Sequence, residues 1–259
     1  MGSISNIQPT LANKVAIVTG SSRGIGASIA LELATRGAKV ALTYTSENST
    51  KVAQTLVDQI NGLGNGAQAI SIRADLSKVD APAKIVSETT AAFGQSIDIL
   101  VNNAAVEKVK KLDEITPEDI DEVMNLNVRG VLLLTQAVAP HLRAPGRVIN
   151  ISSSGARSAV AHYTVYLASK GALEALTRAL AIELGPFGHT VNAVEPGPTE
   201  SEMLSRAPPA LIEQLKAVTP LGRIGKPDDI AGVVGFLAEE SSRWVTGQTI
   251  NATGGMVMI

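Results

Sequence analysis

The chain has 259 residues, one to two domains' worth at about 150 residues per domain; 45% are hydrophobic but only 3% aromatic, which asks for a core of Ala, Val, Ile and Leu. The absence of cysteine excludes disulfides, thiolate nucleophiles, iron–sulfur clusters and thiolate zinc sites. Twenty-two basic against 24 acidic residues leave a formal charge of -2 with no basic stripe, which argues against a nucleic-acid partner.

Residues 1–12 read as a loose arm that lacks the charged and apolar regions of a secretion signal, so the expected location is the cytoplasm. Asn-X-Ser/Thr matches at Asn48, Asn150 and Asn251 are accordingly read as chance. The longest apolar stretch, 130–140, falls short of the roughly 20 residues of a membrane span, and no membrane partner is expected. From residue 13 onward, β-branched runs alternate with helical stretches, the mark of repeated βαβ units and a parallel sheet. Strands are predicted at Lys14–Thr19, Lys39–Tyr44, Ala67–Arg73, Ile97–Asn102, Gly146–Ser152, Thr190–Glu195 and Gln248–Asn251. Helices are predicted at Ile25–Arg36, Ser49–Leu63, Pro82–Phe93, Pro117–Val138, Val165–Leu184 and Pro227–Ala238. Pro117 and Pro227 stand near helix starts, where a missing N–H removes no bond. With no linker or repeat after residue 13, a single domain is expected. The proline-rich stretch 197–225 reads as a substrate lid containing short helices.

The segment Thr19-Gly20-Ser21-Ser22-Arg23-Gly24-Ile25-Gly26 follows the first strand and opens the first helix. Such a turn lets the backbone approach a pyrophosphate, whose charge then meets the helix N-terminal N–H groups. At the end of the second strand, an acid would take a ribose 2′-hydroxyl, whereas hydroxyls and a cation accommodate a 2′-phosphate. Here Thr45 and Ser46 come first, no acid appears until Glu47, and Arg23 supplies the cation, so the expected cofactor is NADP(H). The alternative is that Glu47 reaches the ribose.

Tyr166 and Lys170 are four apart in a helix and share one face. Lowering a phenol's pKa by about 3 units needs roughly 4 kcal/mol of preference for phenolate, which a fixed ammonium in a dry cleft would supply. The plainer alternative is a surface pair. His141, His162 and His189 have no ligand spacing, so no metal is expected. Lys108, Lys110 and Lys111 read as a solvated loop or a greeting for an acidic substrate.

These motifs stand in an order that resembles the classical branch of the short-chain dehydrogenase/reductase family over nearly the whole chain. They are TGSSRGIG from Thr19, Asp75-Leu76, NNAA from Asn102, Asn127 in NLNVRG, Ser153 in INISSSG, YLASK from Tyr166 and PGPTES from Pro196. The resemblance implies an α/β, Rossmann-like three-layer sandwich with seven parallel strands in the order 3-2-1-4-5-6-7. It implies that Tyr166 is the general acid and Ser153 holds the carbonyl oxygen. Lys170 would bind the nicotinamide ribose and tune Tyr166, and Asn127 would hold a water leading from Lys170 to solvent. Ser152 and Ser154 are the alternatives to Ser153; Tyr163 is not one for Tyr166, because Leu167 follows four residues later.

Cofactor contacts implied are Gly20, Ser22, Arg23, Gly24, Ile25 and Gly26 in the turn, Thr45 and Ser46, Asp75 and Leu76 at the adenine, Asn102 and Ala104 at the adenosine ribose, and Thr199 and Ser201 at the carboxamide. Ala105 replaces a usual glycine and Ser201 a common threonine, both mild departures. Within the family the sequence is similar to 3-oxoacyl-carrier-protein reductases and to the fungal and plant ketoreductases of secondary metabolism. A small-molecule ketone or alcohol substrate is implied. Lid residues Met203, Leu204, Leu211, Ile212 and Leu215 suggest a hydrophobic one. Reduction competes with alcohol oxidation in the same site and with cofactor sensing without turnover. An enoyl reductase is disfavoured, since relatives of that kind space the lysine farther from the tyrosine. A homotetramer is implied, its contacts made by the small and apolar residues of 117–138 and 165–184.

Overall fold

Four consecutive apolar residues, Val15–Val18, form strand β1 and are each at most 4% exposed, as in a parallel strand covered on both faces. The computed structural model describes residues 9–201, 204 and 208–258. After β1 come α1 (Gly24–Thr35), β2 (Lys39–Tyr44), α2 (Thr50–Asn61), β3 (Gln68–Arg73), α3 (Ala81–Phe93) and β4 (Ile97–Asn102). Then follow α4 (Pro117–Met124), α5 (Val131–Val138), β5 (Leu142–Ile151), the single turn α6 (Gly155–Ser158), α7 (Thr164–Leu184), β6 (Thr190–Pro196), α8 (Pro209–Val218), α9 (Pro227–Ala238) and β7 (Thr249–Ala252).

All neighbouring strands are parallel, in the order β3-β2-β1-β4-β5-β6-β7, so the expected Rossmann-like sheet is present. The chain walks outward from β1 to β3, returns to the centre at β4 and walks out the other way. The reversal between β1 and β4 opens a crevice at the carboxyl ends of the strands, where ligands of such sheets bind. Side-chain alternation divides the core: Ala16, Val18, Ile99 and Val101 pack with residues of α1, α2 and α9, whereas Ile17 and Leu100 pack with residues of α3, α5 and α7.

Two elements differ from the sequence reading by more than two residues. The helix expected over 117–138 is broken by a π-helical segment at Asn125–Gly130, which joins α4 to α5. Gly130 explains part of it, because a Cβ there would lie 2.6 Å from the Leu76 carbonyl oxygen. Strand β5 begins at Leu142 rather than Gly146, with a register shift opposite Ile97 and Ile99. The expected helix within 197–225 is α8, none of whose residues is buried. Among the described residues, no helix is long and apolar enough to cross a membrane.

At the end of the sheet away from the crevice, Asp98 at the start of β4 is 1% exposed and fastens three strands. It accepts from the Val15 N–H at 2.8 Å, from Lys14 Nζ at 3.2 Å and from Arg143 Nε and Nη2 at 2.8 Å each. Asp98→Ala strands a buried N–H and two cations. Because both cations are partly hydrated, the expected loss is about 2 kcal/mol rather than the full cost of breaking a buried pair. A lower urea midpoint with an unchanged slope is the expected result.

Candidate active site

The glycine turn is fixed by close packing. Gly20 has φ +62°, and a Cβ on Gly26 would lie 2.4 Å from the Gly20 carbonyl oxygen and 2.6 Å from Asn103 Nδ2. Asn103 Nδ2 donates to the carbonyls of Thr19 (2.9 Å) and Gly20 (3.1 Å), while the Thr19 hydroxyl accepts from the N–H groups of Asn103 (2.9 Å) and Ala104 (3.0 Å). These bonds clip the turn after β1 to the turn after β4. Helix α1 starts after Arg23 with no side-chain cap and no acid in its first turn. Its first N–H groups and partial positive charge therefore suit an anion. A cradle this tight fits the pyrophosphate of a dinucleotide. Gly24, Ile25 and Gly26 shape it, with Ile25 packed on the core.

Beside this turn lies a crevice of about 610 Å³, lined among others by Gly20, Ser22, Arg23, Thr45, Ser46, Asp75, Asn103, Ala104 and Tyr166. At the β2 end, Ser46 Oγ accepts from the Asn48 N–H at 3.2 Å and Thr45 Oγ1 donates to the Ala74 carbonyl at 3.4 Å. Glu47 is not among the lining residues; its carboxylate pairs with Arg73. Asp75 Oδ1 accepts from the Ser77 N–H at 3.0 Å.

Two expected contacts point elsewhere. Leu76 is 6% exposed and packs in the core with Ile85 and Leu134. Asn102 shares a face of β4 with Leu100, so its amide turns toward α5. It donates to Thr135 Oγ1 at 3.3 Å and to Asn150 Oδ1 at 2.9 Å. The next residue, Asn103, is the asparagine that faces the crevice.

Tyr166 and Lys170 lie one turn apart on α7, and Ser153 lies two residues past β5. Ser153 Oγ accepts from the Gly155 N–H at 3.3 Å and lies close enough to Tyr166 to influence its hydroxyl. Lys170 is 3% exposed, with Nζ 5.6 Å from the Tyr166 ring centroid and 2.7 Å from the Ile151 carbonyl oxygen, to which it donates. The expected lowering of the phenol pKa is not found. Burial pushes Tyr166 up to about 12, opposed by the nearby Ser153 and reinforced by the charges of Glu107 and Tyr163. The lysine is itself desolvated, and burial brings it down to about 8. Of the alternative serines, Ser152 donates to Glu174 Oε1 at 3.0 Å, and Ser154 is buried.

A family sequence model described as Enoyl-(Acyl carrier protein) reductase matches residues 20–257. The chain belongs to the short-chain dehydrogenase/reductase family. It is 45% identical over 227 residues to Dehydrogenase OXI1 of Cochliobolus heterostrophus, covering 85% of this chain and 98% of that one. It is 41% identical to the Hydroxynaphthalene reductase-like protein Arp2 of Metarhizium guizhouense, covering 99% and 100%. Among solved structures, a short chain dehydrogenase from Burkholderia cenocepacia in complex with NADP superposes with a TM-score of 0.89 at 41% identity, covering 95% and 99%.

The remaining positions of the short-chain dehydrogenase/reductase pattern are engaged by the protein itself. Asn127, in the π segment and 1% exposed, accepts from the Val106 N–H at 2.9 Å and donates to the Val106 carbonyl at 2.8 Å and to Ser169 Oγ at 3.0 Å. Its amide thus braces the loop after β4 against α7 and does not reach Lys170. Thr199 Oγ1 donates to the Gly197 carbonyl at 2.9 Å, and Ser201 Oγ accepts from the Leu204 N–H at 3.1 Å. Lys108 and Lys110 are paired with Glu122 (2.7 Å) and Asp119 (2.6 Å), so neither is a loose cation for an acidic substrate.

Sequence reasoning passed over Asn103, Ser169 and Glu107. The first was signalled by the doubled asparagine of NNAA; nothing in the spacing marked the other two.

Lys170 gives a pH signature. Below about pH 8 the lysine is protonated in both the folded and unfolded chain, and folding bears the full desolvation penalty. Between about 8 and 10.5 the unfolded chain holds more protons, so stability rises with pH. Relative to Lys170→Met, the wild-type protein is expected to gain on the order of 3 kcal/mol across that window. Denaturant unfolding of both at pH 7, 9 and 10 measures the difference.

Proposed function

We propose that this chain uses NADPH to reduce a ketone to a secondary alcohol. The observation that carries the reading is Tyr166 in the crevice wall, with Lys170 one turn along α7 and Ser153 just past β5, and with burial favouring the protonated phenol. Reduction consumes a proton at the carbonyl oxygen, and a neutral phenol is the form that gives one; oxidation would need phenolate at rest. Ser153 would hold the carbonyl oxygen and Tyr166 would protonate it. When bound, NADPH supplies the hydride. Lys170 would hold the nicotinamide ribose, and Thr199 and Ser201 would turn from their present partners to the carboxamide. With the Asn127 amide engaged on Val106 and Ser169, the water relay assigned to that residue would fall to its main-chain carbonyl. The four-residue spacing from Tyr166 to Lys170 favours carbonyl over enoyl reduction.

Preference for NADP(H) over NAD(H) is supported by Arg23, Thr45 and Ser46 in the crevice wall, by Glu47's pairing with Arg73, and by the NADP held by the Burkholderia relative. A reductase of hydroxylated aromatic or 3-oxoacyl ketones is supported by the name of the Metarhizium relative and by the apolar lid. There Leu204 and Ile212 line a groove of about 560 Å³, Leu211 is exposed, and Met203 lies outside the described residues. The homotetramer is supported by exposed Ile120 on α4, Leu132 on α5 and Ile182 on α7.

Oxidation of NADPH and of NADH, followed by the absorbance of the reduced cofactor across a ketone panel, tests this function. Wild-type protein is expected to favour NADPH by about tenfold or more, and Arg23→Glu to erase that preference. Tyr166→Phe is expected to lower kcat by about 100-fold or more. Undiminished turnover by the Phe variant would remove the assignment.

A further inference from the structure

Next to Tyr166 the crevice wall includes Ala105, Val106 and Glu107. Glu107 is half-buried, and among the described residues it has no hydrogen bond and no ion pair. Its sequence neighbours offer no compensation, because Lys108 and Lys110 are paired with Glu122 and Asp119. The loop is pinned on both sides of it. Asn127 holds the Val106 N–H and carbonyl, and the Lys110 N–H donates to the His162 carbonyl at 2.9 Å. The carboxylate therefore leaves the main chain from a fixed point. Its charge is felt by Tyr163 and Tyr166, whose rings meet edge to face at 6.3 Å. Burial raises its own pKa, as expected of a carboxylate short of donors.

A carboxylate in a sheltered wall can only accept, and a ligand that leaves it unpaired loses the donors water supplied. Of the other carboxylates in the crevice wall, Glu122 is paired with Lys108 and Asp75 accepts from the Ser77 N–H. We infer that Glu107 sets substrate choice: it accepts a hydrogen bond from a hydroxyl or ammonium group carried by the ketone, selecting donor-bearing ketones over apolar ones of equal size. This rests on the ketone-reducing reading and narrows it, since apolar character of the lid alone would select for bulk only.

The test compares hydroxyacetophenone, its methoxy counterpart and an aminomethyl acetophenone with wild type, Glu107→Gln and Glu107→Leu. Wild type is expected to favour a donor-bearing ketone over the methoxy compound by about tenfold or more in kcat/KM. Glu107→Leu should bring that ratio close to one. Glu107→Gln, which keeps an acceptor but no charge, should retain preference for the hydroxyl and lose it for the ammonium. Whichever donor shows the larger ratio in wild type identifies the group the site takes. Calorimetric binding of the same compounds in the presence of NADP+ reads the contact without turnover. A Glu107-dependent affinity gap without turnover would sink the reductase reading and leave this assignment standing. Equal affinities and ratios in wild type and Glu107→Leu would overturn the assignment, whatever the rates.

Discussion

The hydrogen bond from Lys170 to the Ile151 carbonyl holds the site together. Ile151 is the last residue of β5, and Lys170 sits in the second turn of α7, so this bond docks the helix on the carboxyl edge of the sheet. Once it is made, Tyr166 on α7 and Ser153 just past β5 lie at the same edge of the sheet. The same burial that keeps the bond dry sets both protonation states, pushing the lysine down and the phenol up. The position of α7 thus disfavours the charged form of both groups.

Beneath the pair is a second polar layer. Glu174 accepts from the Ser152 hydroxyl at 3.0 Å and from Arg157 Nε at 3.0 Å, and Arg157 Nε also lies 3.2 Å from Glu195 Oε1. Glu195 is fully buried at the end of β6, and its pKa is raised by burial first and then by Glu174. Two carboxylates around one guanidinium leave one negative charge in excess, which a shared proton relieves. This layer joins the turn after β5 to β6, so Ser153 is carried on a braced segment.

The sheet was legible in the sequence because its strands are short runs rich in Val, Ile and Ala set between helical stretches, and β1 to β6 fell within a few residues of their predicted spans. The glycine turn between β1 and α1, and the placing of Tyr166 and Lys170 one turn apart on one helix, were legible from residue order and spacing. Side-chain direction was harder. Asn102 and Asn103 differ by one residue, hence by one face of the sheet, and only the parity of β4 against its two helical layers decides which amide meets the crevice. Leu76 failed similarly, since a motif position does not say whether the side chain or the main chain faces a ligand. The spacing of Tyr166 and Lys170 shows proximity, but not that burial opposes the charged form of both groups. The lysines after β4 looked loose because Asp119 and Glu122, their partners, arrive from the next helix.

The π segment at Asn125–Gly130 carries a consequence for the length of this stretch of chain. A wide turn takes up one residue more than an α-helical turn, and each residue of an α-helix rotates the following face by about 100°. Removing a single amino acid there would restore regular coiling and leave Leu134 and Val138 in phase with the sheet, but it would withdraw Asn127 from the loop it braces. The extra residue is therefore kept for the reach of the Asn127 amide rather than for the packing of α5.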